Sequence, residues 1–333
     1  MNDARLSLDE IHSLVLDCLR RHGCDEENAG AVASVITDAE RDGCHSHGLM
    51  RLAGYVAALD SGKVKGDARP LIGKKAPAII HVDGNGGFAP LALTESRPHI
   101  IEAAKMNGIA AAGLVNVYHF SALWWEIETL AEAGLCAFAC TSYIPVVLPA
   151  GGKQALYGTN PIAFGWPRNN EPPVVFDQAS SVMARGEVML AAREGKKLAD
   201  GVGVDMDGNP SNDPNEVLRG AMLAFGGYKG SLIAMMVELL AGPLIGETLS
   251  FETAAKDNSD GGPTCGGELI LAMDPNLIGT PDLWADHGEK LFKKILSQNE
   301  VRLPGDRRYN NRPMATKDGV LVSSKILDEI KSL

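Results

Sequence analysis

The densest run of polar, chemistry-capable side chains is Arg41-Asp42-Gly43-Cys44-His45-Ser46-His47-Gly48, which continues to Arg51 and Tyr55. If a helix begins at His47, then His47, Arg51 and Tyr55 fall at i, i+4 and i+8 and look into one cleft. Leu49, Leu52, Val56 and Leu59 would take the opposing face. A guanidinium fork holds a carboxylate, and an imidazole moves a proton. A small carboxylate substrate needs both. The same residues also read as a solvated histidine beside a surface arginine.

Further candidates lie at the junctions of apolar runs. Asn116–Leu123 stands where a strand gives way to a helix, so its backbone N–H groups could meet phosphate oxygens; a capping Ser121 and a packed His119 are the alternative. Thr159, in the turn Tyr157–Pro161, could bond a carboxylate or simply serve chain reversal. Val175–Ser180 puts Asp177 at a strand end, where α/β sites collect. Gly186-Glu187 brings a further carboxylate downstream. Phe225-Gly226-Gly227-Tyr228-Lys229-Gly230 precedes a helix and suits an anion, but it lacks the GxxxxGK[ST] spacing of a phosphate loop. Arg302–Arg308 is a local basic patch that reads either as surface solvation or as a phosphate site. Gly84-Asn85-Gly86-Gly87-Phe88-Ala89 formally fits G-x-G-x-x-[G/A]. About twenty residues on, however, Val115-Asn116-Val117-Tyr118 offers no acid for a ribose, so the run is expected to be a glycine-rich turn.

These residues need elements to hold them. Three helices are expected in the first sixty residues: one starting after Ser7 and stopping at Gly23, one from Asp25 to about Gly43, and one from about His47 to Gly62. Strand-like runs follow at 78–82, 109–115, 137–142, 162–166, 174–176 and 268–272, with helical patterns at 90–106 and 122–133. Residues 194–217 and 256–266 read as surface loops. Helices are expected after the FGGYKG run, at 284–296 and at 324–333. The pattern predicts an α/β protein whose helical termini share a domain.

Composition bounds the partners. The chain has 333 residues, 31 basic against 42 acidic, a net charge of −11, and 5% aromatics. That balance argues against nucleic acid, whether by charge or by base stacking. Cysteines 18, 24, 44, 136, 140 and 265 form no CxxC pair, which suits reduced thiols and no metal. The most apolar stretch, Leu232–Gly242, is interrupted by Glu238 and too short for a bilayer. The N-terminus lacks signal-peptide form, and the cytoplasm is the expected compartment.

Six motifs in order, RDGCHSHGLMR (41–51), NVYHFSALW (116–124), YGTNPIAF (157–164), VFDQASS (175–181), FGGYKG (225–230) and LPGDRR (303–308), resemble the malate/L-lactate dehydrogenase family and span essentially the whole chain. Within it, His119–Trp124 is most similar to the cyclic ketimine reductases. The resemblance implies a family-specific, non-Rossmann NAD(P)-binding α/β fold, with helical N- and C-terminal segments around a mixed α/β centre, and usually a homodimer. The domains expected are 1–75 plus 285–333 (helical, carrying His47 and Arg51), 76–130 plus 190–284 (NADP-binding), and 131–189 (smaller, substrate-side).

The implied activity is NADPH-dependent reduction of a small cyclic imino acid, Δ1-piperideine-2-carboxylate or Δ1-pyrroline-2-carboxylate, to L-pipecolate or L-proline. A malate- or lactate-type 2-hydroxy-acid dehydrogenase on the same scaffold is the alternative. From a different class stands a metal-dependent hydrolase drawing on His45, His47, His119 and Asp177. By resemblance His47 is the proton donor, with Ser46 and Glu187 as partners that favour its imidazolium. Glu187 stands where these reductases carry Asp. Arg51 and Thr159 correspond to substrate-carboxylate contacts. Cofactor contacts correspond to His119, Phe120, Ser121, Ala122 and Leu123, to Asp177, Gln178 and Ala179, to Tyr228 and Lys229, and to Arg302, Leu303, Pro304, Gly305, Asp306, Arg307 and Arg308. Three arginines within seven residues favour NADPH over NADH, through the 2′-phosphate.

Overall fold

Ser7 and Asp25 start the two long N-terminal helices, α1 (Leu8–Arg21) and α2 (Glu26–Arg41), which follow a short strand β1 (Ala4–Leu6). Ser7 accepts the Glu10 N–H while Glu10 accepts the Ser7 N–H, a reciprocal cap. Asp25 accepts the Asn28 N–H at 3.0 Å. The computed structural model describes residues 3–281 and 283–333. Met1, Asn2 and Asp282, which fall in the expected segments 1–75 and 190–284, lie outside the described residues.

The third helix does not begin at His47. Two 3₁₀ turns, His45–His47 and Leu49–Arg51, precede α3 (Leu52–Asp60). Gly48 between them has φ −93° and ψ −141°, which breaks helical continuity. The i, i+4, i+8 argument therefore fails for Tyr55, which is 1% exposed. Its ring packs edge-on against Phe88 and Phe120 instead.

The rest of the chain alternates. It runs β2 (Leu71–Ala76), β3 (Ile79–Phe88), α4 (Ala89–Asn107), β4 (Ile109–His119), α5 (Trp124–Glu132), β5 (Cys136–Thr141), β6 (Ile162–Trp166) and β7 (Val174–Gln178). Then come α6 (Arg185–Glu194), β8 (Gly203–Val204), β9 (Pro210–Ser211), α7 (Pro214–Arg219), β10 (Ala221–Met222), α8 (Tyr228–Ala241) and α9 (Ser250–Lys256). The chain closes with β11 (Thr264–Met273), α10 (Pro275–Ile278), α11 (Leu283–Leu296), α12 (Asp306–Asp318), β12 (Val320–Val322) and α13 (Ser324–Ser332).

The architecture is mixed α/β. One seven-stranded sheet has the order β2-β3-β4-β11-β5-β6-β7. Only β3 and β4 pair in parallel, with α4 as their crossover; the other pairs are antiparallel. The expected boundary at 130/131 cuts through this sheet, because β11 inserts between β4 and β5 and hydrogen-bonds to both. The expected loop at 194–217 contains β8, β9 and the start of α7, and β8 centres a small three-stranded sheet. β1 pairs with β12, and Ala315, Val320, Val322 and Ile330 share the buried cluster of α1, α2 and α3. Residues 285–303, expected with those helices, pack elsewhere: Phe292 and Leu303 cluster with Val174 beside Trp166.

The Gly84 run is not a turn but a bulge inside β3. Its register against β4 shifts between Asp83 and Gly87, and Asn85 and Gly86 take φ of 54° and 79°. A Cβ on Gly84 would stand 2.2 Å from Val117 Cγ1. The glycines serve strand packing, and Phe88 leads straight into α4. Among the described residues no helix is long and apolar enough to cross a membrane.

Asp42 ties three of these elements together. Its side chain, 0% exposed, accepts Arg41 Nε at 2.8 Å. Arg312 of α12 donates to it twice, at 2.9 and 2.6 Å, and reaches Glu128 of α5 at 2.6 Å. Asp42→Ala leaves Arg41 with Asp38 and Arg312 with Glu128 as their remaining acids and removes the bidentate contact between α12 and the end of α2. It is expected to cost about 3 kcal/mol in urea denaturation, at the low end for a broken buried pair because Arg312 keeps some solvent contact. A loss under about 1 kcal/mol would show that α12 is held by other contacts.

Candidate active site

The His45–Arg51 segment, two 3₁₀ turns joined at Gly48, is held by α2. Glu40, 4% exposed, accepts the Leu49 N–H at 2.7 Å and pairs with His45 Nδ1 at 2.5 Å. A Cβ on Gly48 would stand 2.1 Å from Glu40 Oε1, so this close approach requires glycine. Ser46 Oγ lies 3.1 Å from His47 Nδ1. Arg51 Nε donates to the Ser46 carbonyl at 2.7 Å, and its guanidinium sits over the Phe120 ring, 4.4 Å from the centroid. One edge of Arg51 is thereby fixed.

Ser46, His47, Arg51 and Thr159 line one cavity of about 500 Å³. His119 through Leu123, and Asp177 through Ala179, form further parts of its wall. Through Cys44, Trp124, Asp177 and Arg307 it joins a second groove of about 500 Å³, whose far wall is Arg302 to Gly305 with Arg308. Buried Ser121 Oγ, Trp124 Nε1 and Arg308 Nε find no partner along this path. Such orphaned polar atoms fit a long polar ligand running from cavity to groove, as a nicotinamide dinucleotide would.

Several assignments change. Glu187 lines the cavity but is exposed and makes no hydrogen bond to Ser46 or His47. Burial, then the Arg51 charge and His119, push the His47 imidazolium down to about 3. The imidazole is therefore neutral, not held as imidazolium by Ser46 and Glu187. Asp177, not an open phosphate site, takes the start of α5, accepting the Trp124 N–H at 3.4 Å. Burial raises the Asp177 carboxyl while Arg308 opposes. Tyr228 lies off this path in a separate hollow beside Leu148–Gly152, and Lys229 is exposed.

The basic patch divides. Arg308 is buried, donating to the Val175 carbonyl at 3.0 Å with its guanidinium over the Trp124 ring. Arg302 and Arg307 are exposed and carry no ion pair. Asp306 turns back to accept the Leu303 N–H at 2.7 Å rather than pairing with an arginine.

Three contributions were missed in the sequence. Arg185 lines the cavity from the first residue of α6. A cation there opposes the helix dipole, a signal that could have marked it as an anion ligand. Glu238, seen only as an interruption of an apolar run, accepts Asn160 Nδ2 at 2.7 Å and the Ser250 N–H at 2.9 Å. It braces the turn that presents Thr159. The third is a buried trio in which His119 Nε2 meets Glu126 Oε1 at 2.9 Å and Glu268 Oε2 at 3.5 Å. This trio, not the set His45, His47, His119 and Asp177, is the one His/Cys/Asp/Glu group among the described residues with its ligand atoms close enough to share an ion.

A family model described as malate/L-lactate dehydrogenase matches residues 6–331. The chain is 48% identical to a Δ1-pyrroline-2-carboxylate reductase of Ancylobacter novellus, over 99% of this chain and 97% of that one. It is 46% identical to a Δ1-pyrroline-2-carboxylate/Δ1-piperideine-2-carboxylate reductase of Pseudomonas aeruginosa, over 99% of both. The crystal structure of Δ1-piperideine-2-carboxylate reductase from Pseudomonas syringae superposes with a TM-score of 0.94 at 38% identity, covering 99% of each chain.

His47 provides a direct check on the site's electrostatics. Its folded-state pKa lies below the unfolded value, so its protonation favours unfolding and erodes stability as pH falls below about 6.5. By imidazole NMR, His47 should show no inflection between about pH 5 and pH 8. His45, raised by its hydrogen bond to Glu40, should titrate above the ordinary histidine range. Arg51→Met should move the His47 midpoint upward. A wild-type His47 that titrates near 6.5 would contradict a site that buries the ring beside Arg51.

Proposed function

The chain belongs to the malate/L-lactate dehydrogenase family and is an oxidoreductase, and we propose that it reduces Δ1-pyrroline-2-carboxylate and Δ1-piperideine-2-carboxylate to L-proline and L-pipecolate with NADPH. The observation that carries this reading is full-length similarity, at 46% and 48% identity, to reductases named for those ring imines. A cavity offering a guanidinium beside a neutral imidazole supports it.

When bound, the reduced nicotinamide supplies hydride to the imine carbon. Arg51, fixed at one edge by the Ser46 carbonyl, takes the substrate carboxylate with its free N–H groups, and Thr159 adds a hydroxyl. Arg185 supplies a second positive charge to the same anion. These contacts set which face of the ring meets the hydride. Neutral His47 stabilises the protonated ring nitrogen by accepting its N–H once the proton has reached it. The bound carboxylate offsets the Arg51 charge, so His47 becomes easier to protonate once substrate is present.

Arg302 and Arg307, unpaired at the groove mouth, suit a 2′-phosphate, whereas Arg308 is already occupied by Val175 and Trp124. A homodimer in the cytoplasm completes the proposal. Leu232, Met235 and Leu239, each at least 40% exposed on α8, form an apolar face that a second copy would cover.

Two experiments test this. NADPH oxidation should be fast with the two ring imines and slow with pyruvate and oxaloacetate. A preference for the 2-oxo acids would replace the imine reading with a hydroxy-acid dehydrogenase. Arg302→Ala/Arg307→Ala should lower kcat/KM for NADPH by about 1–3 kcal/mol, roughly 5- to 150-fold, allowing for exposure and non-additivity. NADH should change little. Equal losses with both cofactors would assign these arginines to the shared part of the dinucleotide.

A further inference from the structure

Neutral imine plus hydride needs one proton to become amine, and the free protein keeps His47 neutral. The proton must come from elsewhere, and the buried trio behind the cavity is placed to supply it. His119 forms part of the cavity wall, while Glu126 and Glu268, 2% and 0% exposed, do not reach it. One carboxylate oxygen from each and His119 Nε2 lie within 4.8 Å of one another. Glu126 Oε2 and both Glu268 oxygens have no other hydrogen-bond partner. Among the described residues no lysine or arginine pairs with either acid: Arg97 acts on Glu126 only at a distance and lies over the Trp125 ring. Two adjacent carboxyls without a counter-ion cannot both ionise in such a site, so one proton is shared.

We propose that Glu126 and Glu268 hold one proton between them in the free protein and deliver it through His119 to the cavity, acting as the proton reserve of the reduction. The carboxylic O–H breaks as an N–H forms at His119 Nε2. The N–H at His119 Nδ1 then breaks as its proton passes to the ring nitrogen, directly or by way of His47. The two electrons arrive with the hydride, and the relay resets in reverse, with water protonating His119 Nδ1 from the cavity as the Nε2 proton returns to the carboxylate pair. Glu126 and Glu268 are thus positioning residues that act through His119. The delivery step rests on the imine reduction proposed above; the sharing of a proton does not.

The charged and titratable neighbours are few. Asp177 raises the Glu126 carboxyl and Arg97 lowers it, while Glu126 and His119 act on Glu268. Tyr55 feels Glu126, Cys140 feels Glu268, and His47 feels His119. Burial raises both acids above the carboxylate range and lowers His119, which is consistent with a protonated acid pair beside a neutral imidazole.

The test uses infrared spectroscopy of the whole protein without substrate or cofactor. A carboxylic-acid C=O band should be present at neutral pH, disappear on alkaline titration, and be missing in Glu126→Gln/Glu268→Gln. Each single Gln variant removes the like charge facing the remaining acid and should lower the titration midpoint by about one pH unit or more. With the ring imine and NADPH, each single variant should lower kcat about 10²-fold with little change in KM, and its alkaline limb should follow the infrared midpoint. Absence of the band in wild type, which requires no variant to fold, overturns the proposal. So does one equivalent of zinc in purified protein, or an alkaline limb that stays put while the band moves. If the imine proves not to be a substrate but the band behaves as described, the proposed function fails while the shared proton stands.

Discussion

Glu40 carries the constraint on which the site depends. It is a carboxylate in the last turn of α2, where the helix dipole disfavours negative charge, and it is almost fully buried. Such a group persists only when donors meet it, and the His45 ring and the Leu49 N–H do so. Satisfying it forces the chain into two 3₁₀ turns around a glycine that tolerates no side chain. The Ser46 carbonyl then faces Arg51, Arg51 lies on Phe120, and Phe120 meets Tyr55, which packs in turn on Phe88 in the core. One buried acid thus fixes the placement of Arg51 in the cavity wall and joins it to the packing of the helical layer.

Charge is partitioned locally in a way the net value of −11 conceals. Arg51, Arg185 and Arg307 line the cavity against two acids, Glu187 and Asp177, and burial raises the Asp177 carboxyl. The free cavity is therefore short of negative charge. Its histidine stays neutral first because it is buried and then because of the Arg51 charge, and the cavity's natural complement is an anion. Behind the wall the imbalance reverses: Glu126 and Glu268 stand together with no cation in contact. A layer of excess positive charge facing the ligand and a layer of excess acid facing inward meet at His119, which is neutral and can pass a proton either way.

Local patterning made much of this legible. The apolar run at 162–166 is a strand with the same limits, and Ser7 and Asp25 start the helices that they mark. The cluster from Ser46 to Arg51 and the segments at 119–123 and 177–179 do converge. Less legible was anything decided by distant contacts. A histidine–arginine pair at helical spacing says helix, but Glu40, not propensity, shapes that turn. Three arginines within seven residues look alike until Trp124 and the Val175 carbonyl claim Arg308. Glycines at 84–87 look like a turn until β4 is placed beside them.

The meeting of His119 and Glu268 shows how such long-range effects reach the site. Gly266 of β11 stands opposite Val117 and Glu268 opposite Leu114, so the extra residue lies in β4 at Val115–Asn116, where Asn116 takes a φ of 52°. A Cβ on Gly267 would stand 2.0 Å from the Ala241 carbonyl of α8, so a side chain there would push the two elements apart. Side chains alternate along a strand, and one extra residue reverses which face all those after it occupy, so Ala110, Ala112 and Leu114 before the bulge and Val117 after it share one core. On β11, Ile270 and Ala272 fall in that core with Ile127 and Leu130 of α5. Glu268, two residues before Ile270, points to that same face and so meets Glu126 of α5 and His119 of β4. Leu269 and Leu271 pack instead with Val237 and Ala241 of α8. Removing the bulge would keep the strand but break the correspondence between the His119 end of β4 and the Glu268 end of β11. The buried trio therefore depends on the extra residue at Val115–Asn116 of β4, which turns His119 to the face of Glu268, as much as on its own three side chains.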